Sequence, residues 1–287
     1  FARLLWIVGL LPLGWAHALG ALLGSLISLR DGRTRRTVQT NLALCFPELG
    51  AHERQKLARR TLRETGKAVL ELGAIWGWSG PRIRALFEEA DGAELLAAAT
   101  RRGRGVLIAA PHLGCWEMTS HYAQLHGYRL TALYRPPRQR ALGPLVRSCR
   151  QRFGAVLVPT DAGGIKALLR ALQRGECVGI LPDQDAGEEG VLAPFFGIPA
   201  STMVLYARLA QRSGATLLLA FAERLRGGRF RLHLRPLPDT VRADDPVVAA
   251  TALNLAIESC VREIPEQYQW TYRRFKTRPP GEPPRYR

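Results

Sequence analysis

Six short apolar runs rich in β-formers, "GVLIAA" (105–110), "LTALY" (130–134), "AVLVP" (155–159), "CVGIL" (177–181), "ATLLLAFAE" (215–223) and "FRLHLRP" (230–236), constrain this chain most. Helical segments separate most of them, over 116–126, 139–153, 161–174 and 201–212. Strands that return through helices pair in parallel, with helices covering the sheet. The last two runs are joined by Arg226-Gly227-Gly228, which reads as a hairpin and makes the sheet mixed. The expected fold is therefore α/β, with a mixed, largely parallel central sheet flanked by helices. Helical periodicity also marks 51–77, with Leu57, Leu62, Val69, Leu70 and Ile75 on its apolar side. Shorter helices are expected near 80–89 and 92–102, and a last one over 244–263. At 287 residues and 47% apolar, the chain is long enough to bury a real core.

From Leu4 to Leu29 there is no charged residue. As one helix this stretch would reach ~39 Å, longer than the ~30 Å of a bilayer's hydrocarbon core. Arg30, Arg33, Arg35 and Arg36 follow, and positive residues flanking a span stay cytoplasmic. The expectation is a membrane anchor helix over 1–30, single-pass, and a cytoplasmic domain over 31–287. Pro12, Gly14, Gly20 and Gly24 interrupt the run, so a buried or interfacial hairpin is the competing reading.

The net charge of +17 calls for partners rich in negative charge: nucleic acid, anionic lipid or acidic protein. Arg outnumbers Lys 37 to 4, a bias that base composition alone can produce, so the sign of the charge says more than the residue type. The five cysteines form no CxxC pair, which argues against a disulfide framework and a zinc site.

The chemistry concentrates in "APHLGCWE" (110–117). On a helix His112 and Glu117 would lie about 140° apart around the axis, on different faces. They can meet only if His112 precedes the helix, with Pro111 ending a strand and Gly114 permitting a tight turn. A neutral imidazole is a general base near pH 7, and a carboxylate on its other nitrogen fixes the tautomer. That is two-thirds of a triad, without a protein nucleophile, since no GxSxG elbow exists. A substrate hydroxyl attacking an acyl thioester completes it. Structural roles compete, because a lone His at a strand end is more often structural. A metal is disfavoured, because HExxH is absent and His121 and His126 have no clear third ligand.

Two further segments bear on the site. "LYRPPRQR" leaves a strand, placing Arg135 and Arg138 near His112; Arg135 is the better substrate-binding candidate, and Arg140, Arg147 and Arg150 read mostly as a solvated helix face. In "LPDQDAGEEGVLAPFFGIPASTMVL", Asp183 and Asp185 fall where the sheet opens. This loop reads as a functional lid, with Ser201 and Thr202 capping the next helix. Asp183 is taken as a substrate-binding candidate, a role that competes with pairing to Arg135 or capping a turn.

"NLALCFPEL" (41–49), "PHLGCWE" (111–117), "YRPPR" (134–138), "GILPDQDAG" (179–187), "PFFGIPA" (194–200) and "PEQYQWTYRRFKTRP" (265–279) together resemble the lipid A biosynthesis acyltransferases of Gram-negative bacteria. The resemblance covers nearly the whole chain. It implies a glycerolipid-acyltransferase-like fold and an inner-membrane enzyme with its catalytic domain on the cytoplasmic side. It also implies an acyl carrier protein thioester as donor and a phosphorylated lipid A precursor as acceptor, with no nucleic acid, no metal and no organic cofactor. The family's H-x4-E/D catalytic pair maps onto His112 and Glu117. The developing oxyanion is expected to meet backbone N–H groups near Gly114, or Arg135. Cys115 stands where an Asn or another residue is common in the family, which argues against a thioesterase built on it. The remaining alternatives are the same chemistry on a glycerolipid or glycolipid acceptor, and a non-catalytic protein that binds anionic lipid.

Overall fold

The computed structural model describes residues 2–137 and 139–286. Two helices open the chain, α1 (Ala2–Val8) and α2 (Leu13–Leu29), followed by α3 (Arg33–Cys45), α4 (Ala51–Gly77), α5 (Gly80–Arg84) and α6 (Ala93–Arg101). The sheet region then runs β1 (Val106–Ala109), α7 (Trp116–Leu125), β2 (Leu130–Leu133), α8 (Gly143–Gln151), β3 (Val156–Val158), α9 (Ala162–Gln173) and β4 (Cys177–Ile180). A small hairpin, β5 (Val191–Phe195) and β6 (Ile198–Thr202), precedes α10 (Leu205–Ser213). The chain continues through β7 (Thr216–Arg224), β8 (Phe230–Pro236) and α11 (Pro246–Glu263).

The main sheet has the order β3-β2-β4-β1-β7-β8, parallel except for β8, which is antiparallel to β7. This is the mixed, largely parallel sheet that the alternating runs demand. One apolar cluster lies on each face. Val178, Leu107 and Leu219 pack with α9, α10, α11 and the C-terminal tail, while Ile108, Leu218 and Ala220 pack with α4, α6, α7 and the N-terminal helices.

The N-terminal stretch is not one helix. The break falls between Val8 and Leu13, where Pro12 lacks an N–H to continue the ladder. Among the described residues no helix is long and apolar enough to cross a membrane. Instead α1 and α2 fold back along α4 and contribute Val8, Leu13 and Ala16 to the second cluster. The close approach rests on glycine: a Cβ on Gly66 would lie 2.0 Å from the Gly20 carbonyl oxygen, and one on Gly73 would lie 2.2 Å from that of Leu5. Val69, expected on the apolar side of α4, is 41% exposed.

The segment expected to be a lid is the β5–β6 hairpin. Its two-residue turn, Phe196-Gly197, has φ of 52° and 73°, the double positive-φ turn that suits a tight hairpin. Pro194 and Pro199 are tolerated because the pair stands alone as a two-stranded sheet. Ser201 and Thr202 lie in β6 and do not cap α10, whose preceding residue is Val204. Asn254 of α11 fixes the hairpin by donating to the Pro194 carbonyl at 2.8 Å.

Substituting Gly66→Val forces a side chain into the α2 backbone. It is expected to destabilise the chain by ~1–3 kcal/mol in chemical unfolding and to expose the first 30 residues to limited proteolysis. An unchanged unfolding midpoint and cleavage pattern would contradict this account of the helix contact.

Candidate active site

Register explains which residues meet. β1 and β4 are parallel neighbours with Ala109 opposite Ile180. His112 lies three residues beyond Ala109, and Asp183 three residues beyond Ile180. Each follows a proline, Pro111 and Pro182, which takes no part as a donor and ends its strand. Equal offsets from paired positions bring the two side chains together. Asp183 Oδ1 lies 2.8 Å from His112 Nδ1, and Asp183 Oδ2 accepts from the His112 backbone N–H at 2.9 Å. Burial pushes the Asp183 carboxyl up, but the imidazole and the two hydrogen bonds outweigh it and hold it below the usual range. An ionised carboxylate here places the ring proton on Nδ1 and leaves Nε2 as the acceptor.

Glu117 is not the partner of His112 in this structure. It lies buried in the first turn of α7, where the helix dipole favours it, and its carboxylate accepts from Arg150 Nε at 2.9 Å. Arg150 NH2 also reaches it. Desolvation raises the Glu117 carboxyl, yet the Arg150 guanidinium prevails and its pKa is lowered. Arg150 is thus the half-buried partner of Glu117 rather than part of a solvated face. Arg135 is exposed on the segment leaving β2, and Asp183 pairs with His112 rather than with Arg135. Arg138 lies outside the described residues.

The corner that carries His112 is held on both sides. Gly114 has φ of 61°, and a Cβ there would lie 2.0 Å from the Ala222 carbonyl oxygen, so only glycine fits this approach to β7. The Gly114 N–H donates to Gln267 O at 3.1 Å, and the Gln269 N–H donates to His112 O at 3.1 Å. The C-terminal tail therefore runs along the corner as a short strand-like partner. Asn41 of α3 anchors that tail by donating to the carbonyls of Trp270 and Tyr272 at 2.7 and 2.8 Å. Asp185 binds it too, accepting from the Thr277 N–H and hydroxyl at 2.8 and 2.9 Å.

These bonds commit the backbone donors around Gly114. The N–H groups of His112, Leu113, Gly114 and Cys115 donate to Asp183, Pro111, Gln267 and Ala222 respectively. All four are bonded within the protein in this structure. Sequence reasoning also missed Gln184. Its Nε2 lies 3.1 Å from His112 Nε2 and donates to Gln269 Oε1 at 3.0 Å. Cys115 is fully buried, and burial, reinforced by Glu71, raises its thiol well above the ordinary value, which suits an inert thiol.

The sequence profile described as bacterial lipid A biosynthesis acyltransferase matches residues 1–277. The chain belongs to this family. It is an acyltransferase of the lipid A biosynthesis type. It is 32% identical over 285 residues to the lipid A biosynthesis lauroyltransferase of Escherichia coli (strain K12), covering 98% of this chain and 92% of the relative. It is 32% identical to the palmitoleoyltransferase of that strain, covering 97% and 90% of the two chains. The myristoyltransferase of the strain is 26% identical, over 96% of this chain and 85% of its own. Relatives named for three different acyl chains share the alignment, so overall similarity does not select a chain length.

His121, one turn after Glu117, is buried with neither ring nitrogen hydrogen-bonded to a described residue. Burial lowers its pKa to about 4, against an opposing pull from Glu117. A group kept neutral in the folded state contributes stability above its unfolded pKa of about 6.5. That contribution is lost as pH falls from about 6.5 through about 4. His121→Phe, which keeps a ring against Phe153, is expected to flatten the decline of urea unfolding midpoints across this window. Parallel declines in both proteins would show that His121 does not cause it.

Proposed function

We propose that this enzyme transfers a fatty-acyl chain from an acyl carrier protein thioester to a hydroxyl of a phosphorylated lipid A precursor, with His112 as general base. The observation that carries the reading is the Asp183–His112 contact, with an ionised carboxylate on Nδ1 and Nε2 turned to accept. Asp183 replaces Glu117 as the group that orients the ring. Glu117, buried, and Arg150, half-buried, form a brace at the start of α7.

In the reaction, Nε2 takes the proton of the acceptor hydroxyl as its oxygen bonds to the thioester carbonyl carbon. The carbonyl electrons move onto oxygen, giving a tetrahedral oxyanion. When the intermediate collapses, the C–S bond breaks and the departing thiolate recovers the proton from His112. The carboxylate of Asp183 stabilises the imidazolium between these steps. An anionic acceptor and an acidic carrier protein both suit a chain of net charge +17.

The test is transfer from loaded acyl carrier protein to the lipid precursor, read by mass spectrometry. His112→Ala is expected to lose ~10²–10⁴ in rate, and Asp183→Asn to fall in the same range. Near-normal transfer by His112→Ala would rule out this mechanism.

The same reading places the enzyme at the cytoplasmic face of the inner membrane, held by the outer side of the N-terminal hairpin. Trp6, Trp15, Leu22, Leu26 and Leu29 there are all more than half exposed. Apolar and aromatic side chains on one face, with Arg30, Arg33, Arg35 and Arg36 beside them, suit insertion into the interfacial zone of an anionic bilayer. Replacing Trp15 and Leu22 with Glu is expected to lower co-flotation with anionic vesicles at an unchanged unfolding midpoint. Equal flotation of variant and parent would overturn the assignment.

A further inference from the structure

We propose that Gln184 stabilises the oxyanion, after giving up a resting contact with the base to the incoming hydroxyl. The inference rests on His112 being the base. With the ring proton committed to Asp183, Nε2 has one lone pair, and the Gln184 amide at 3.1 Å donates to it. The same amide nitrogen donates to Gln269 Oε1 at 3.0 Å. The opposite amide orientation would set an oxygen against both the Nε2 lone pair and the Gln269 oxygen, so this network fixes the direction.

The acceptor hydroxyl must present its proton to that same lone pair. Two donors cannot share it, so the hydroxyl displaces the amide. Gln269 still tethers Gln184, and the freed N–H stays beside the reacting atoms. A donor is needed there, because the four backbone N–H groups from His112 to Cys115 are already used. Arg150 is committed to Glu117, and Arg135 stands exposed on another segment. Gln184 is the donor that already touches the base. As the O–C bond forms and the carbonyl electrons move to oxygen, its N–H donates to that oxygen. When the C–S bond breaks, the charge passes to sulfur, and the thiolate takes its proton from Nε2.

A merely structural glutamine and a mere plug over the ring give different kinetics. The experiment measures kcat, KM and the pH profile of kcat/KM with lauroyl-loaded acyl carrier protein and a phosphorylated lipid A precursor in mixed micelles. Gln184→Ala is expected to lower kcat by ~10²–10³, with KM nearly unchanged. Gln184→Glu keeps the shape but sets a carboxylate against Nε2. The carboxylate favours the imidazolium, so the acid limb should move to higher pH as kcat falls; Asp183 is the other ionisable group on the ring, with Tyr268 beside Asp183. Gln269→Leu, which loses only the tether, should fall between parent and Gln184→Ala. Normal kcat in Gln184→Ala, a raised kcat, or a change confined to KM would each overturn the proposal. So would an unmoved acid limb in Gln184→Glu, the variant to rely on if the alanine form does not fold. Transfer retained in His112→Ala would sink base and proposal together; a dead His112→Ala beside a normal Gln184→Ala would sink this proposal alone.

Discussion

The buried ion pair between Glu71 and Arg224 adds a polar link between parts of the molecule that apolar packing already brings together. Arg224, at the end of β7, donates through Nε and NH2 to the two carboxylate oxygens of Glu71 on α4, both at 2.7 Å. Its NH2 also donates to the Gly114 carbonyl at 2.8 Å, two residues from His112. Glu71 meets His17 of α2 at 2.9 Å. The Arg224 backbone exchanges hydrogen bonds with the Gln267 side chain on the tail. Burial pushes the Glu71 carboxyl up, but the guanidinium and the imidazole outweigh it and hold it at about 2. Removing one partner of such a buried pair costs about 3–5 kcal/mol, because the other charge is left stranded. The N-terminal hairpin, the sheet, the corner that carries His112 and the tail therefore share one polar centre.

That centre accounts for a corner made almost entirely of committed groups. Gly114 approaches β7 too closely for a side chain, and its N–H and carbonyl are both bonded. The corner cannot move to greet a substrate without breaking bonds to three separate segments. Its bonds fix His112 in place and commit the four backbone N–H groups from His112 to Cys115. The loop after β4 adds an uncharged side-chain donor beside Asp183, Gln184, whose amide lies 3.1 Å from His112 Nε2.

Where the sequence was legible, the signal was local. The six apolar runs became the six strands of the main sheet, and the periodicity over 51–77 became α4. The pairing of His112 was not legible from the spacing within 112–117, because it depends on β1 and β4 lying side by side. The signal existed in two places at once, as "APH" and "LPD" after successive strand ends, and joining them needs the strand order. Arg150 was misread for the same reason. On α8 alone it has no partner, and Glu117 reaches it only across the α7–α8 contact. The β5–β6 hairpin was hidden by its two prolines, which are tolerable only in a sheet with no third strand.

The N-terminal run shows a different limit. Apolar length was enough for a span, but Pro12 divides it and glycines let α2 lie against the backbone of α4. What remains apolar after that packing is one side of a hairpin rather than a cylinder. A one-sided surface suits a bilayer's interface better than its core, where a helix must be apolar all round. The inner side of the same helix carries His17 to Glu71, and through Arg224 to Gly114. The helix with the most exposed apolar side is thus three hydrogen bonds from the corner that carries His112. Under the proposed membrane attachment, a lipid acceptor would meet a site whose backbone is fastened to the helix proposed to hold the enzyme at the surface.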